Sequence, residues 1–304
     1  MRRFLIDTDT ASDDAVALVM ALKHPEVQVE AITVVAGNVP LDQAVQNALY
    51  TVELCRSQVP VFAGASAPLE RSLETAQFVH GEDGMGDIGL RLEGRMPAGG
   101  DAVGRMIEII TDYPGEITLV TLGPLTNIAS ALSRDPKLWR RVGDCVIMGG
   151  TGVGPGNVTA DAEFNIWVDP EAALIVFGSG MPIKLVGWDI SVRYATFGPE
   201  EARALRDLGT DLARFCTDIQ ATLTKYAVEV SGLAGYDLPD PIAMAIALDP
   251  GIATRVRPAF IEVGTRQADR GATPIIESRK PNVDLVEEAD RERFLAVLHA
   301  ALAG

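Results

Sequence analysis

Short apolar runs alternate along the chain with longer stretches in which apolar residues recur every three or four positions. Phe4–Ile6 reads as a strand and Ala15–Lys23 as the helix after it. Val29–Val35 is a second strand, followed by helical spacing over Leu41–Cys55 and a short apolar run at Val59–Ala63. Ala102–Thr111 predicts a helix, Ile117–Leu122 a buried strand and Leu125–Leu132 a helix. Asp144–Met148 and Ile183–Val186 are further strands, with a helix at Glu171–Phe177 between them. Strand and helix patterns in this rhythm predict an α/β, Rossmann-like fold: a mostly parallel sheet flanked by helices.

The last third reads differently. Glu200–Val230 is one long helical region and Ile242–Leu248 a further helix. Ala259–Val263 and Thr273–Glu277 look like two late strands, and Glu287–Leu302 is a final amphipathic helix. There is no internal repeat or linker, so residues 1–304 are expected to form a single domain with a C-terminal helical insertion near the site.

Ligands of such sheets bind beyond the carboxyl ends of the strands. Asp7 and Asp9 follow the first strand, Gly37 and Asn38 the second, Leu122, Gly123 and Pro124 the Ile117 strand, and Gly149 and Gly150 the Asp144 strand. These loops should share one rim. The segment FLIDTDTASDDAVALVMAL places Asp7, Asp9, Asp13 and Asp14 within eight positions. Four carboxylates this close repel one another, and a hard cation with oxygen ligands relieves them. Helix capping by Ser12 and Asp13 accounts for one or two acids, not four. Asp7-Thr8-Asp9-Thr10-Ala11 also resembles the Asp-x-Asp run of haloacid-dehalogenase-type phosphatases, but Ala11 stands where Thr or Val is usual.

Charge narrows the partners. The net charge is −16, which disfavours nucleic acid and anionic membranes. Hydrophobic content of 47% is ordinary for a globular protein, and no run of about 18 apolar residues suggests a membrane span. Cys55, Cys145 and Cys216 lie far apart, as free thiols in a reducing compartment would. MRRFLIDTDT does not read as a signal peptide. A cytoplasmic enzyme acting on a small molecule is the expectation.

Four more segments carry polar residues in a distinctive order: VVAGN, ending at Asn38; TLGPLTNIA, from Thr121; GNVTADAEFNIWVDPEAA, with Asn157, Glu163 and Asn165; and PDPIAMAIALDP, in which Asp240 opens a helix. With the acid cluster, these resemble the nucleoside hydrolases, of which the inosine–uridine-preferring type is the best-known branch. The resemblance runs from the first strand to about Pro250 and implies a calcium-dependent N-ribohydrolase that cleaves the N-glycosidic bond of ribonucleosides to ribose and free base. It implies Ca²⁺ held by Asp9, Asp14, the Leu122 carbonyl and Asp240, with a metal-bound water for which Asp9 is the general base. Asp13 would bind the 2′-hydroxyl, Asn38, Asn157, Glu163 and Asn165 the other sugar hydroxyls, and Asp7 would support the ligands from behind. A homodimer or homotetramer is implied as well.

The sequence departs from the family at Pro239, where inosine–uridine members place a histidine and a purine-preferring branch a tryptophan. His24 ends a helix before Pro25 and reads as a capping or surface residue, and His299 lies in the terminal helix. His80, in FVHGEDGMG, resembles the family's His-Gly-x-x-Gly segment near the base and is the remaining catalytic candidate, in a loop that Gly81, Gly84 and Gly86 could make flexible. Trp188, Tyr226 and Tyr236 are candidate base contacts. Pro239 also keeps two alternatives open: a non-catalytic calcium-dependent ribose or nucleoside binder, and a hydrolase of a related riboside whose leaving group needs no general acid.

Overall fold

The computed structural model describes residues 1–304. The first half alternates strand and helix: β1 (Arg2–Thr8), α1 (Ser12–Lys23), β2 (Val27–Val34), α2 (Leu41–Leu54), β3 (Val61–Ala63), α3 (Gln77–His80), α4 (Ala102–Asp112), β4 (Ile117–Thr121), α5 (Thr126–Arg134) and β5 (Val142–Met148). The rhythm continues through α6 (Phe164–Val168), α7 (Pro170–Phe177), β6 (Ile183–Val186), α8 (Trp188–Tyr194) and β7 (Thr196–Phe197). Helices then dominate: α9 (Pro199–Arg206), α10 (Asp211–Asp218), α11 (Ala221–Glu229), the short β8 (Tyr236–Asp237) and α12 (Pro239–Leu248). The chain ends in β9 (Ala253–Ala259), β10 (Val283–Ala289) and α13 (Arg291–Ala303).

Eight strands form one sheet in the order β3-β2-β1-β4-β5-β6-β10-β9. All neighbours are parallel except β9, which runs antiparallel to β10. Alternate residues of β1 enter different cores: Phe4 and Ile6 pack with α1, α12 and α13, and Leu5 with α4, α5 and α7. Burial on both faces explains why the central strands are continuous apolar runs. The strand order reverses at β1, so the crevice between the carboxyl ends of β1 and β4 is a topological switch point.

Three late expectations are corrected. Beyond Ala259, which ends the edge strand, Ala259–Val263 and Thr273–Glu277 lie outside the eight-stranded sheet. They pair with each other, antiparallel, through the Ile261–Ile275 bridge and hydrogen bonds from the Glu262 amide to the Pro274 carbonyl and from the Ile276 amide to the Phe260 carbonyl, and are apolar because Ala259, Ile261 and Val263 cover the core. The edge strand is Ala253–Ala259, whose Arg255, Arg257 and Pro258 hide it from a search for apolar runs. Its arginines pair with Glu287 on β10, and charge with proline suits an exposed edge. Residues 287–289 therefore complete β10, and the final helix starts at Arg291, capped by the Asp290 carboxylate. Glu200–Val230 is three helices rather than one. Gly209, at φ 75°, ends the first, and Thr210 caps the second by accepting from the Ala213 amide. No helix is long and apolar enough to cross a membrane. The three cysteines are free and buried.

Candidate metal centre and active site

Two buried helices aim their N-termini at the switch point. α1 and α12 are apolar on most sides and pack directly on each other. Asp13 and Asp14 lie in the first turn of α1, and Asp240 in the first turn of α12. The amide dipoles at these ends favour negative charge. Asp14 closes the start of α1 by accepting from the Ala11 amide at 2.9 Å, and it also accepts from Thr8 Oγ1 at 2.5 Å. Asp9, just past β1, accepts from the Asn38 amide at 2.6 Å through Oδ2. A Cβ at Gly37 or Gly123 would collide with the Asp9 carboxylate, so glycine at both positions lets the β2 and β4 loops close around it.

Oxygens of Asp13, Asp14 and Asp240 lie within 4.8 Å of one another. Burial, then the neighbouring carboxylates, push Asp9, Asp13 and Asp240 well above the usual carboxylate range. Asp14 is raised less, because Thr8 and the Ala11 amide donate to it against its burial. Oδ1 of Asp9 and Oδ1 of Asp13 are buried with no hydrogen-bond partner. Buried polar atoms without partners are costly, and mutually repelling acids more so. A hard cation would satisfy both defects, and these donors fit one: the buried aspartate cluster could hold a metal ion.

Asp7 lies beneath the cluster. Its Oδ1 accepts from Thr33 Oγ1 at 2.5 Å and Asn127 Nδ2 at 2.8 Å, and burial pushes it up to about 7. The Thr-Asn pair of TLGPLTN is thus structural: Asn127 holds Asp7, and Thr126 Oγ1 donates to Asp169.

A cleft of about 790 Å³, its open mouth included, rises above the acids. Asp13, Asn38, His80, Leu122, Asn157, Glu163, Asn165 and Asp240 all line it, so the loops converge as expected. Asn165 Nδ2 donates to the Leu122 carbonyl at 2.8 Å. Glu163 caps α6, taking the Asn165 amide at 2.8 Å and the Gly150 amide at 2.9 Å, and burial pushes it up to about 7. Asn157 Oδ1 accepts from the Phe164 amide at 2.9 Å. Glu163 and Asn157 thus do local capping work, whereas Asn165 ties its loop to the β4 exit, and all three face the cleft.

His80 is the one histidine in the cleft; His24 accepts from the Glu26 amide and His299 lies on α13. Its Nδ1 is 3.0 Å from Ser12 Oγ and 3.7 Å from Asp13 Oδ1, and burial lowers it to about 4. Trp188 and Tyr226 line the cleft, but Tyr236 does not; it stacks on Phe197 in the core. Sequence reasoning missed Phe78, Met148, Phe164 and Asp237, which also line the cleft. The alternation of GYDLPDP, with an acid and a proline two apart, was the available signal for Asp237.

Comparison with known proteins agrees with this geometry. The family described as inosine-uridine preferring nucleoside hydrolase matches residues 4–296. A pyrimidine-specific ribonucleoside hydrolase RihA from Enterobacter sp. (strain 638) is 37% identical, over 98% of this chain and 97% of the relative. Among solved structures, the plant nucleoside hydrolase PpNRh1 superposes with a TM-score of 0.94 at 33% identity, covering 100% of this chain and 99% of that one. A purine-preferring ribonucleoside hydrolase from Gardnerella vaginalis gives 0.93 at 32% identity, covering 100% and 98%. The chain belongs to the inosine-uridine preferring nucleoside hydrolase family and is an N-glycosyl hydrolase that splits ribonucleosides into ribose and free base.

Proposed function

We propose that the cation is Ca²⁺ and that the activity is a calcium-dependent N-ribohydrolase reaction built on Asp9. The observation that carries this reading is the group of buried aspartates with unpartnered oxygens at the switch point. Asp9, Asp14, Asp240 and the Leu122 carbonyl would hold the ion. When bound, it supplies a positive charge that acidifies a nearby water and anchors the ribose diol.

The remaining chemistry belongs to the side chains. Asp9 takes the proton of the attacking water through Oδ1, while the Asn38 amide fixes Oδ2. Asp13 accepts from the ribose 2′-hydroxyl, and its charge stabilises the oxocarbenium-like sugar as the C1′–N bond breaks. Asn38, Asn157, Glu163 and Asn165 match the remaining hydroxyls. His80 is neutral at pH 7; in the tautomer whose Nδ1 accepts from Ser12 Oγ, the Nε2–H is left for the departing base. Asp7 keeps the cluster in place from below. The reading extends to one functional unit over residues 1–304 that forms a homodimer or homotetramer in the cytoplasm, supported by the family resemblance and the free cysteines.

The test is ribose release from a panel of nucleosides with and without chelator. Release that disappears with chelator and returns with Ca²⁺ is the expected result. Nucleosides that bind without turnover would make the chain a binder instead. Equal release with and without chelator would remove the cation from the reaction. The named relatives divide between pyrimidine-specific and purine-preferring enzymes, so base choice must be sought in this chain's own side chains.

A further inference from the structure

One wall of the cleft carries an acid that the reaction above does not use. From Tyr236 into Leu238 the backbone is extended, and successive side chains take opposite faces. Tyr236 and Leu238 are buried in the core, whereas Asp237 and Pro239 line the cleft. The proline ring offers no donor or acceptor, so Asp237 is the polar group of that face. Its Oδ2 accepts from Trp188 Nε1 at 2.9 Å and from Ser191 Oγ at 2.7 Å. No side chain donates to Oδ1. The side-chain donors therefore pin the carboxyl through one oxygen, its own backbone amide being the remaining internal donor, and no other residue occupies the second oxygen on the cleft side. Burial raises Asp237 above the usual carboxylate range, and the Ser191 and Trp188 donors and its own backbone amide act against that rise.

We infer that Asp237 selects the nucleobase, its Oδ1 accepting a hydrogen bond from an exocyclic amine, so that the chain favours amino bases over their oxo counterparts. An amine offers two N–H groups to a carboxylate oxygen. The ring N–H of an oxo base is flanked by a carbonyl oxygen, which the carboxylate repels. A buried charged acceptor left facing a carbonyl loses its hydrogen bond without compensation, the kind of mismatch that separates similar substrates most strongly. This inference rests on the nucleoside hydrolase reading and adds the substrate class to it.

The experiment compares kcat/KM for cytidine against uridine and for adenosine against inosine, using the full chain with Ca²⁺ present. Wild type should favour the amino member of each pair it hydrolyses by about tenfold or more. In Asp237→Asn, Trp188 and Ser191 still donate to the pinned position, so the amide turns its oxygen to them and shows its NH₂ to the cleft. Acceptor becomes donor, and the amino-to-oxo ratio should fall by about tenfold or more. A wild-type preference for oxo bases, or a ratio in Asp237→Asn within about twofold of wild type, overturns the inference; a uniform loss on all substrates leaves the ratio unchanged and counts against it. Trp188→Phe keeps the packing and removes one anchor. It should also lower the ratio, and an unchanged ratio there refutes the inference even where Asp237→Asn does not fold. Absence of ribose release from every nucleoside refutes the hydrolase mechanism instead, and the same ratios are then read from binding calorimetry.

Discussion

Asp9 and Glu163 are both buried acids, yet substitution should separate them. Asp9→Asn keeps the size and the Asn38 contact but removes the proton acceptor. Turnover should fall by about 10²-fold or more, the usual worth of a positioned base, with the fold intact by circular dichroism. A loss of less than about tenfold would assign the base role elsewhere. Glu163 has a pH signature. Its carboxyl is raised from 4.5 to about 7 in the fold, so the folded state keeps a proton that the unfolded chain has released. The penalty is absent below about 4.5, grows as pH rises and is complete above about 7. Glu163→Gln removes it. The melting temperature of the variant relative to wild type should climb across that window, by no more than about 1.4 kcal/mol of stability per pH unit. A flat difference would show that Glu163 is ionised in the fold. The sequence made these residues visible because each sits in a segment whose order is distinctive. Phe78 and Asp237 stayed hidden because a four-residue helix and a two-residue strand bring them to the cleft; the helix leaves no spacing pattern, and the strand only the brief alternation of GYDLPDP. Tyr236 misled for the same reason: its neighbour, one residue on, faces the site.

Elements were legible where burial alone decides the sequence. β1, β2, β4, β5 and β6 are covered on both faces and must be apolar, so their positions follow from hydrophobicity. β9 is an edge, held by arginine–glutamate pairs that read as loop chemistry. The helical region before β8 shows the opposite failure. Its spacing is helical throughout, but one glycine with positive φ and one capping threonine separate α9 from α10, and a second break at Ile219–Gln220 separates α10 from α11. Thr210 accepts from the Ala213 amide and donates to the Leu302 carbonyl, tying α10 to the end of α13. Thr210→Ala should lower stability by about 1–2 kcal/mol in urea unfolding, with base preference unchanged. A cost below about 0.3 kcal/mol would mean that the cap is already supplied by water.

At the scale of the whole molecule, charge and cation are linked. The chain carries a net −16, and its most costly charges converge on one point. Ca²⁺ should raise the melting temperature, by the equivalent of about 2.7 kcal/mol at a hundred times the dissociation constant. Asp240→Asn should lose most of that rise, and a full rise in the variant would remove Asp240 from the site. The α1–α12 contact carries a further consequence, for time rather than stability. α1 is the first helix of the chain and α12 the last but one, and the ion's place exists only when both are seated. A contact between segments so distant in sequence is expensive to close early in folding. A cation held there would therefore find its ligands late, after the barrier, and act as a latch. It should leave the refolding rate nearly unchanged and slow unfolding in proportion to its concentration, so that chelation shortens the lifetime of the fold without altering how quickly it forms.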